Sequence, residues 1–210
     1  MIQSRLSILM AERNLKISDL YEETKISKTT LMAISENTGK GIQFETVDKL
    51  CNFLGVTPCE FFDYAPYIVD VKLRDYKFPD HDLQDLEVII KNQNYEKAFI
   101  LNTYSYSEKM EGLIPLRKGE VKLFTEVILG ETEFYNPDEF YKYLGDLSIS
   151  FRTEFMNKLV NLMKEQLLNF IDQELKIGGS ESVEIQKGDY IALRFFADTK
   201  YEFLKKFTLK

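Results

Sequence analysis

The chain has 210 residues, 27 of them Lys or Arg and 34 Asp or Glu, for a formal net charge of −7. That length suits one small domain and a second of roughly 140 residues, each with its own core. The acidic balance runs against a nucleic-acid partner, although DNA affinity needs local phosphate neutralisation rather than a basic whole chain. Cys51 and Cys59 are too few for a disulfide framework, and with a single histidine, His81, they do not suggest a metal or redox centre. No apolar stretch reaches the length of a membrane span, and the amino terminus runs into an amphipathic helix without a signal peptide. The expected location is cytoplasmic.

Arg5 to Arg13 reads as a first amphipathic helix, leaving through Asn14-Leu15-Lys16. Ser18 is placed to cap a second helix whose apolar contacts come from Leu20 and Tyr21. Thr24-Lys25-Ile26 has the length of a helix-turn-helix corner. Ser27 caps the next helix, with Leu31 and Ile34 buried and Lys28, Thr29, Thr30, Met32 and Ala33 facing outward. Phe44 to Leu54 forms a fourth helix that stops near Gly55. Thr57 then caps a short fifth, with Pro58 at its first position, where a missing N–H costs nothing.

In that order and with those connections, residues from about Ile2 to Tyr64 resemble the Cro/C1-type (XRE) helix-turn-helix family. The resemblance implies a lambda-repressor-like, all-α, five-helix domain over residues 1–66, with the helix opened by Ser27 in the major groove. Lys28 would donate to guanine O6 or N7 or to a phosphate. Thr29 and Thr30 would use their hydroxyls and methyls, and Met32 and Ala33 would make apolar contacts. Ser18, Ser27, Asn37, Lys40 and Gln43 would set the register on the DNA backbone. Lys25 stands where the family usually has glycine, so it must tolerate a left-handed or adjusted backbone. Tyr21 stands where a small residue is usual. Met10 and Ser35 occupy places where many members carry a buried Arg–Glu pair, so an apolar contact is expected there. Residues 1–66 hold seven Lys or Arg and nine Asp or Glu. Arg5, Lys16, Lys25, Lys28 and Lys40 are the candidate phosphate partners, so useful affinity is expected to depend on dimerisation.

Pro66 closes the helical series. Residues 67–210 read as an α+β domain with antiparallel strands and a long amphipathic helix. Strands are expected at Tyr67–Tyr76, Lys97–Tyr106 and Val121–Leu129, while residues 83–91 fit either a strand or a short helix. Asn92-Gln93-Asn94 reads as a turn; Pro115 and Gly119 interrupt the chain. Asn136-Pro137-Asp138-Glu139 opens a helix to about Leu144. From Ser150 to Lys176 a broad apolar stripe, including Phe155, Leu159, Leu162, Leu167, Phe170, Ile171 and Leu175, predicts one long helix ended by Gly178-Gly179-Ser180. It would lie across its own sheet, supply a homodimer seam through Phe155, Leu159, Leu162 and Leu167, or do both. Val183–Ile185 and Tyr190–Phe196 look like a hairpin across Lys187-Gly188-Asp189, and Tyr201–Phe207 is a short strand or helix. Of 28 aromatic residues, 22 lie beyond Tyr64. The Tyr104/Tyr106 and Phe195/Phe196 pairs fit either an aromatic core or an effector pocket.

Catalysis has no sequence support: there is no phosphate-cradling glycine loop, nucleophile elbow or metal-spaced His/Cys cluster. His81, in Pro79-Asp80-His81-Asp82, reads as an exposed loop histidine. Glu108, Glu111 and Glu131-Thr132-Glu133 read as solvated charge. The expectation is a non-enzymatic bacterial or phage transcriptional regulator needing neither cofactor nor metal. It would bind double-stranded DNA as a homodimer, and its second domain would answer a small-molecule or protein effector. The rival is a protein-interaction module, antitoxin-like or anti-repressor-binding, with little intrinsic DNA affinity.

Overall fold

The computed structural model describes residues 1–76, 79–107 and 121–210. They divide into two compact units, Met1–Pro66 with Asp146–Phe151, and Tyr67–Gly145 with Arg152–Lys210. The sequence had assigned all of 67–210 to one domain; the short segment Asp146–Phe151 groups instead with the first unit. Glu108, Glu111, Pro115 and Gly119 lie outside the described residues.

In the first unit β1 (Ile2–Ser4) leads into α1 (Leu6–Glu12), α2 (Ile17–Thr24), α3 (Lys28–Ser35), α4 (Phe44–Leu54), α5 (Pro58–Phe61) and β2 (Phe62–Tyr64). Each helix sends at least one side chain to a common centre, where Leu6, Leu20, Leu31, Leu50 and Phe61 are wholly buried. On α4, Val47, Leu50, Cys51 and Leu54 are buried at three- and four-residue spacing. Gly55, with φ +66°, then ends that helix. Thr57 and Glu60 cap α5 reciprocally. The Thr57 hydroxyl accepts from the Glu60 N–H, and the Glu60 carboxylate accepts from the Thr57 N–H at 2.7 Å. Those bonds to Thr57 hold the Glu60 carboxyl below its usual range. β1 and β2 form an antiparallel pair joining Ile2 to Tyr64. Three residues each are too few to carry a period-two signal.

The second unit is built on β3 (Ile68–Leu73), β4 (Leu86–Lys91), β5 (Glu96–Ser107), β6 (Leu123–Leu129), β9 (Tyr190–Phe195) and β10 (Phe203–Thr208), with α6 (Pro137–Asp146), α7 (Ile149–Leu168) and the pair β7 (Gln173–Gly178) and β8 (Glu181–Ile185) between β6 and β9. Among the described residues the six strands of the sheet lie in the order β10-β9-β6-β5-β4-β3. Every pairing is antiparallel, as expected of these strands, except β6 with β9, which is parallel. Leu86, Val88, Phe99, Leu101, Leu123, Val127, Ile191, Leu193 and Phe195 point to one covered face. The ambiguous 83–91 segment resolves as β4, and the tail as β10.

The expected extent of the long helix is corrected. It ends at Leu168: Asn169, Phe170 and Ile171 close a tightened turn onto the carbonyls of Gln166, Leu167 and Leu168. Asp172, with φ +58°, then sends the chain into β7. Leu175 therefore lies in a strand. Its inward alternation with Ile177 had coincided with the helical period. The glycines at 178 and 179 turn β7 into β8, so Val183–Ile185 pairs backwards with β7 and makes no hairpin with β9. The Lys187-Gly188-Asp189 turn exists, but it joins elements of different sheets.

A second point concerns the choice between a seam and the helix's own sheet. Phe155, Leu159 and Leu167 are buried inside the folded chain and Leu162 is half-buried, so the stripe serves chiefly the unit's own core. Phe155 lies against Phe140 and Phe196, at ring separations of 6.5 and 6.4 Å. The Phe195/Phe196 pair is likewise core. Phe196 has φ +52°, so β9 turns sharply after Phe195 and both consecutive rings are buried. At the end of β5 the alternation is inverted. Ser105 and Ser107 face inward, with the Ser105 and Thr125 hydroxyls 3.1 Å apart, while Tyr104 is exposed and Tyr106 half-buried. His81 is not an exposed loop residue: it is half-buried, its Nδ1 lies 2.7 Å from the Leu83 carbonyl, and its backbone bridges to Ile177.

Leu159→Ala is expected to cost the second unit about 2–5 kcal/mol in urea denaturation, the range for opening a cavity in a core. A loss under about 0.5 kcal/mol would place the side chain at a surface instead.

Candidate DNA interface

The first unit presents a short helix with two unlike faces. On α3, Leu31 and Ile34 are buried, while Lys28, Thr29, Thr30 and Met32 are exposed and Ala33 is half-buried. Eight residues are too few to be helical in isolation, so the buried pair and the cap hold the exposed set in place. The Ser27 hydroxyl accepts from the Thr30 N–H at 3.1 Å and lies 2.8 Å from the Thr30 hydroxyl. Both hydroxyls thus meet at the cap, which leaves Thr30 and Ser27 less able to act as free readers than Thr29.

The corner before α3 turns on Lys25, which takes the left-handed φ +59° and ψ +16° that its place in the corner was expected to demand. Its N–H donates to the Tyr21 carbonyl at 3.0 Å and its ammonium group to the Glu22 carbonyl at 2.6 Å. The Thr24 side chain donates to the Leu20 carbonyl and accepts from the Ile26 N–H, closing the corner from inside. Tyr21 is accommodated by pointing outward: it is partly exposed, with the Lys28 ammonium 5.3 Å from its ring centre. That contact orients Lys28. Met10 is buried in the helical core, and the Ser35 hydroxyl turns back to the Met32 carbonyl at 2.9 Å, so no charge is buried at either place.

Three assignments made from sequence are altered. Ser18 is not the cap of α2, which begins one residue earlier at Ile17. The Asp19 carboxylate accepts from the Lys16 N–H at 2.8 Å, and the Ser18 hydroxyl donates to Asp19. Asn37 uses its side-chain amide within the fold, accepting from the Ser4 N–H at 2.7 Å and donating to the Ser4 carbonyl at 3.1 Å. Arg5 donates to the Glu60 carbonyl and lies 4.0 Å from the Asp63 carboxylate, so it is not a free cation. Lys40 and Gln43 are exposed; Gln43 precedes α4 without a side-chain capping bond. Lys40 and Ala33 share a groove of about 580 Å³, completed by Met1–Ser4, Asn37 and Phe62.

Phe44, the first residue of α4, is 93% exposed beside Gln43 and was missed as a surface residue. Its spacing from Val47, Cys51 and Leu54 puts it on the apolar face by period. At the helix start, however, that face has run past the core. An exposed ring beside Gln43 offers an apolar contact that the sequence could not reveal.

This corner, the one-sided α3 and the short capped α5 lie within one run of five helices. Residues 5–66 match the family model of the Cro/C1-type HTH DNA-binding domain. Neither a curated protein nor a solved structure matches the chain. The Cro/C1-type domain implies DNA as a partner. Among the described residues no helix is long and apolar enough to cross a membrane, and no three His, Cys, Asp or Glu side chains are grouped to hold a metal ion. Cys51 is buried in this domain, with its thiol pushed up first by burial and then by Asp48, whereas Cys59 is exposed.

Ser27→Ala is expected to lower the stability of the domain by about 1 kcal/mol through loss of the cap. Lys25→Gly is expected to raise it by up to about 1 kcal/mol by relieving the left-handed corner, less what glycine adds to the unfolded entropy. Thermal denaturation of the two variants reads both signs.

Proposed function

We propose that the chain is a sequence-specific, DNA-binding transcriptional regulator of bacterial or phage type. On this reading it acts as a homodimer, without catalysis, and its second unit dimerises and answers a small-molecule or protein effector. One observation carries the reading: within a segment matching the Cro/C1-type domain, α3 keeps Leu31 and Ile34 inside and leaves Lys28, Thr29 and Met32 outside. In the major groove Lys28 donates to guanine O6 or N7, Thr29 contacts a base by hydroxyl or methyl, and Met32 supplies an apolar surface for thymine methyls. Lys16 and Lys40 meet phosphates, with Gln43 and Phe44 against the backbone beside them.

The cations are few, and Glu22, Glu23 and Glu36 are exposed on the same helices or just beyond them. Each phosphate neutralised contributes about 0.9 to the slope of log affinity against log salt, so this surface predicts a shallow slope per protomer. The net charge of −2 over residues 1–66 favours one rival, a protein-interaction module with little DNA affinity.

Fluorescence anisotropy on DNA selected from a random pool, run over a salt series, separates the two. Wild type is expected to bind one sequence in the presence of competitor, and Lys28→Ala with Thr29→Ala to lose about 1–3 kcal/mol of base discrimination per contact. Binding no tighter to the selected sequence than to competitor would sink the regulator reading in favour of the protein partner.

A further inference from the structure

Among the described residues β3 is the last strand of the six-stranded sheet, and its outer edge has no neighbour. Its hydrogen-bonding phase follows from one bond beyond it: the Arg74 N–H donates to the Asp85 carbonyl at 2.9 Å. In an antiparallel ladder residues alternate between bonding the neighbour and bonding away from it. With Leu73 opposite Leu86 and Ile68 opposite Lys91, the even residues Ile68, Asp70 and Lys72 bond β4. Val69, Val71 and Leu73 therefore turn their N–H and C=O groups to the open edge. The Val71 N–H agrees, since it is held by the carboxylate of Asp70, its own neighbour, at 3.0 Å.

The side chains carry a second regularity. Val69 is buried and Val71 and Leu73 are half-buried on the covered face, while Asp70 and Lys72 are exposed on the opposite one. No proline or bulge protects this edge, and its two charges have opposite signs. A lone edge is commonly defended by charges that repel a second strand. Here two opposite charges sit symmetrically about Val71.

We propose that β3 pairs antiparallel with β3 of a second copy about a two-fold axis through Val71. This rests on the homodimer reading above and gives it a surface. In that register Val71 faces Val71 of the second copy and Val69 faces its Leu73, every pair presenting outward-directed backbone groups to each other. On the other face Asp70 meets Lys72 of the second copy, and Lys72 meets its Asp70. The Val71 N–H passes from the Asp70 carboxylate to the facing carbonyl, which frees that carboxylate for the lysine. Lys72, now 2.8 Å from Glu87, keeps a carboxylate on each side. Moving the axis one residue either way sets Asp70 against Asp70 or Lys72 against Lys72, so charge selects the register. The two sheets become one continuous sheet, and both exposed edges of this kind disappear.

Sedimentation of the full chain tests the pairing, with circular dichroism as the check on folding. Wild type is expected to be dimeric, and Asp70→Lys to raise the dimer dissociation constant about tenfold or more by setting lysine against lysine. Adding Lys72→Asp to that variant restores opposite charges and is expected to recover most of the loss. Oxidative cross-linking gives a second reading that leaves the charges intact. In a Cys59→Ser background Val71→Cys is expected to cross-link to itself, because facing hydrogen-bonded residues lie about 5.5 Å apart at Cα, within disulfide reach. Ile68→Cys, facing Arg74, is not. A monomeric wild type, a folded Asp70→Lys chain that associates as wild type does, or equal cross-linking of both cysteines would each overturn the strand pairing. Anisotropy on DNA stands apart from these outcomes: a monomer that still recognises one sequence loses the edge and keeps α3 as reader.

Discussion

The burial of Leu31 and Ile34 is the constraint on which the exposed face of α3 depends. A helix of eight residues has too few internal hydrogen bonds to outweigh the entropy of its own nucleation. It exists here because two side chains and a serine cap fasten it to Leu20, Leu50 and their neighbours. Those attachments fix its rotation about its own axis, and rotation decides which residues a DNA groove would meet. The left-handed Lys25 belongs to the same constraint. It sets the angle between α2 and α3 at some backbone cost, which the buried centre offsets.

The second unit solves a different problem. A parallel pairing of β6 with β9 cannot be made by a tight turn, so the chain must travel out and return. It uses the excursion to place α6, α7 and the β7–β8 pair, and the aromatic residues fill the space enclosed. Phe99, Phe140, Phe155 and Phe196 form a connected set of rings at offset or edge-on angles. Such contacts are favourable beyond their area.

The sequence was most informative where local chemistry and long-range packing agreed. Ser27, Thr57 with Pro58, and Gly55 mark helix ends through bonds made within a few residues, and each lies where its chemistry required. The turn at Asn92 is equally local, its side chain accepting from Asn94 and Tyr95. The misreadings share a cause. Leu175 and Phe44 fit helical spacing from buried neighbours, but spacing does not say where a helix stops or where a core ends. Ser105 points inward against the hydropathy pattern because its hydroxyl and that of Thr125 on the adjacent strand satisfy one another. The partner of β9 could not be read from its own residues, since β8 is its neighbour in sequence while β6 reaches it only across a long excursion of chain. Asn37 looked like a backbone contact because the strand it clamps is only three residues long.

The return path between β6 and β9 also bears on time. β3 to β6 can zip together in sequence order, each strand meeting the one before it. Val127 must wait for Phe195, and with it for both helices and the small hairpin that precede β9. Until then β6 is itself an open edge, lined by Leu123, Val127 and Leu129, in a chain still emerging from the ribosome. The closure entropy of that long excursion has to be met before the ladder repays any of it. The sheet therefore completes itself last, and its interval of greatest exposure to misassociation is the one before β9 reaches β6.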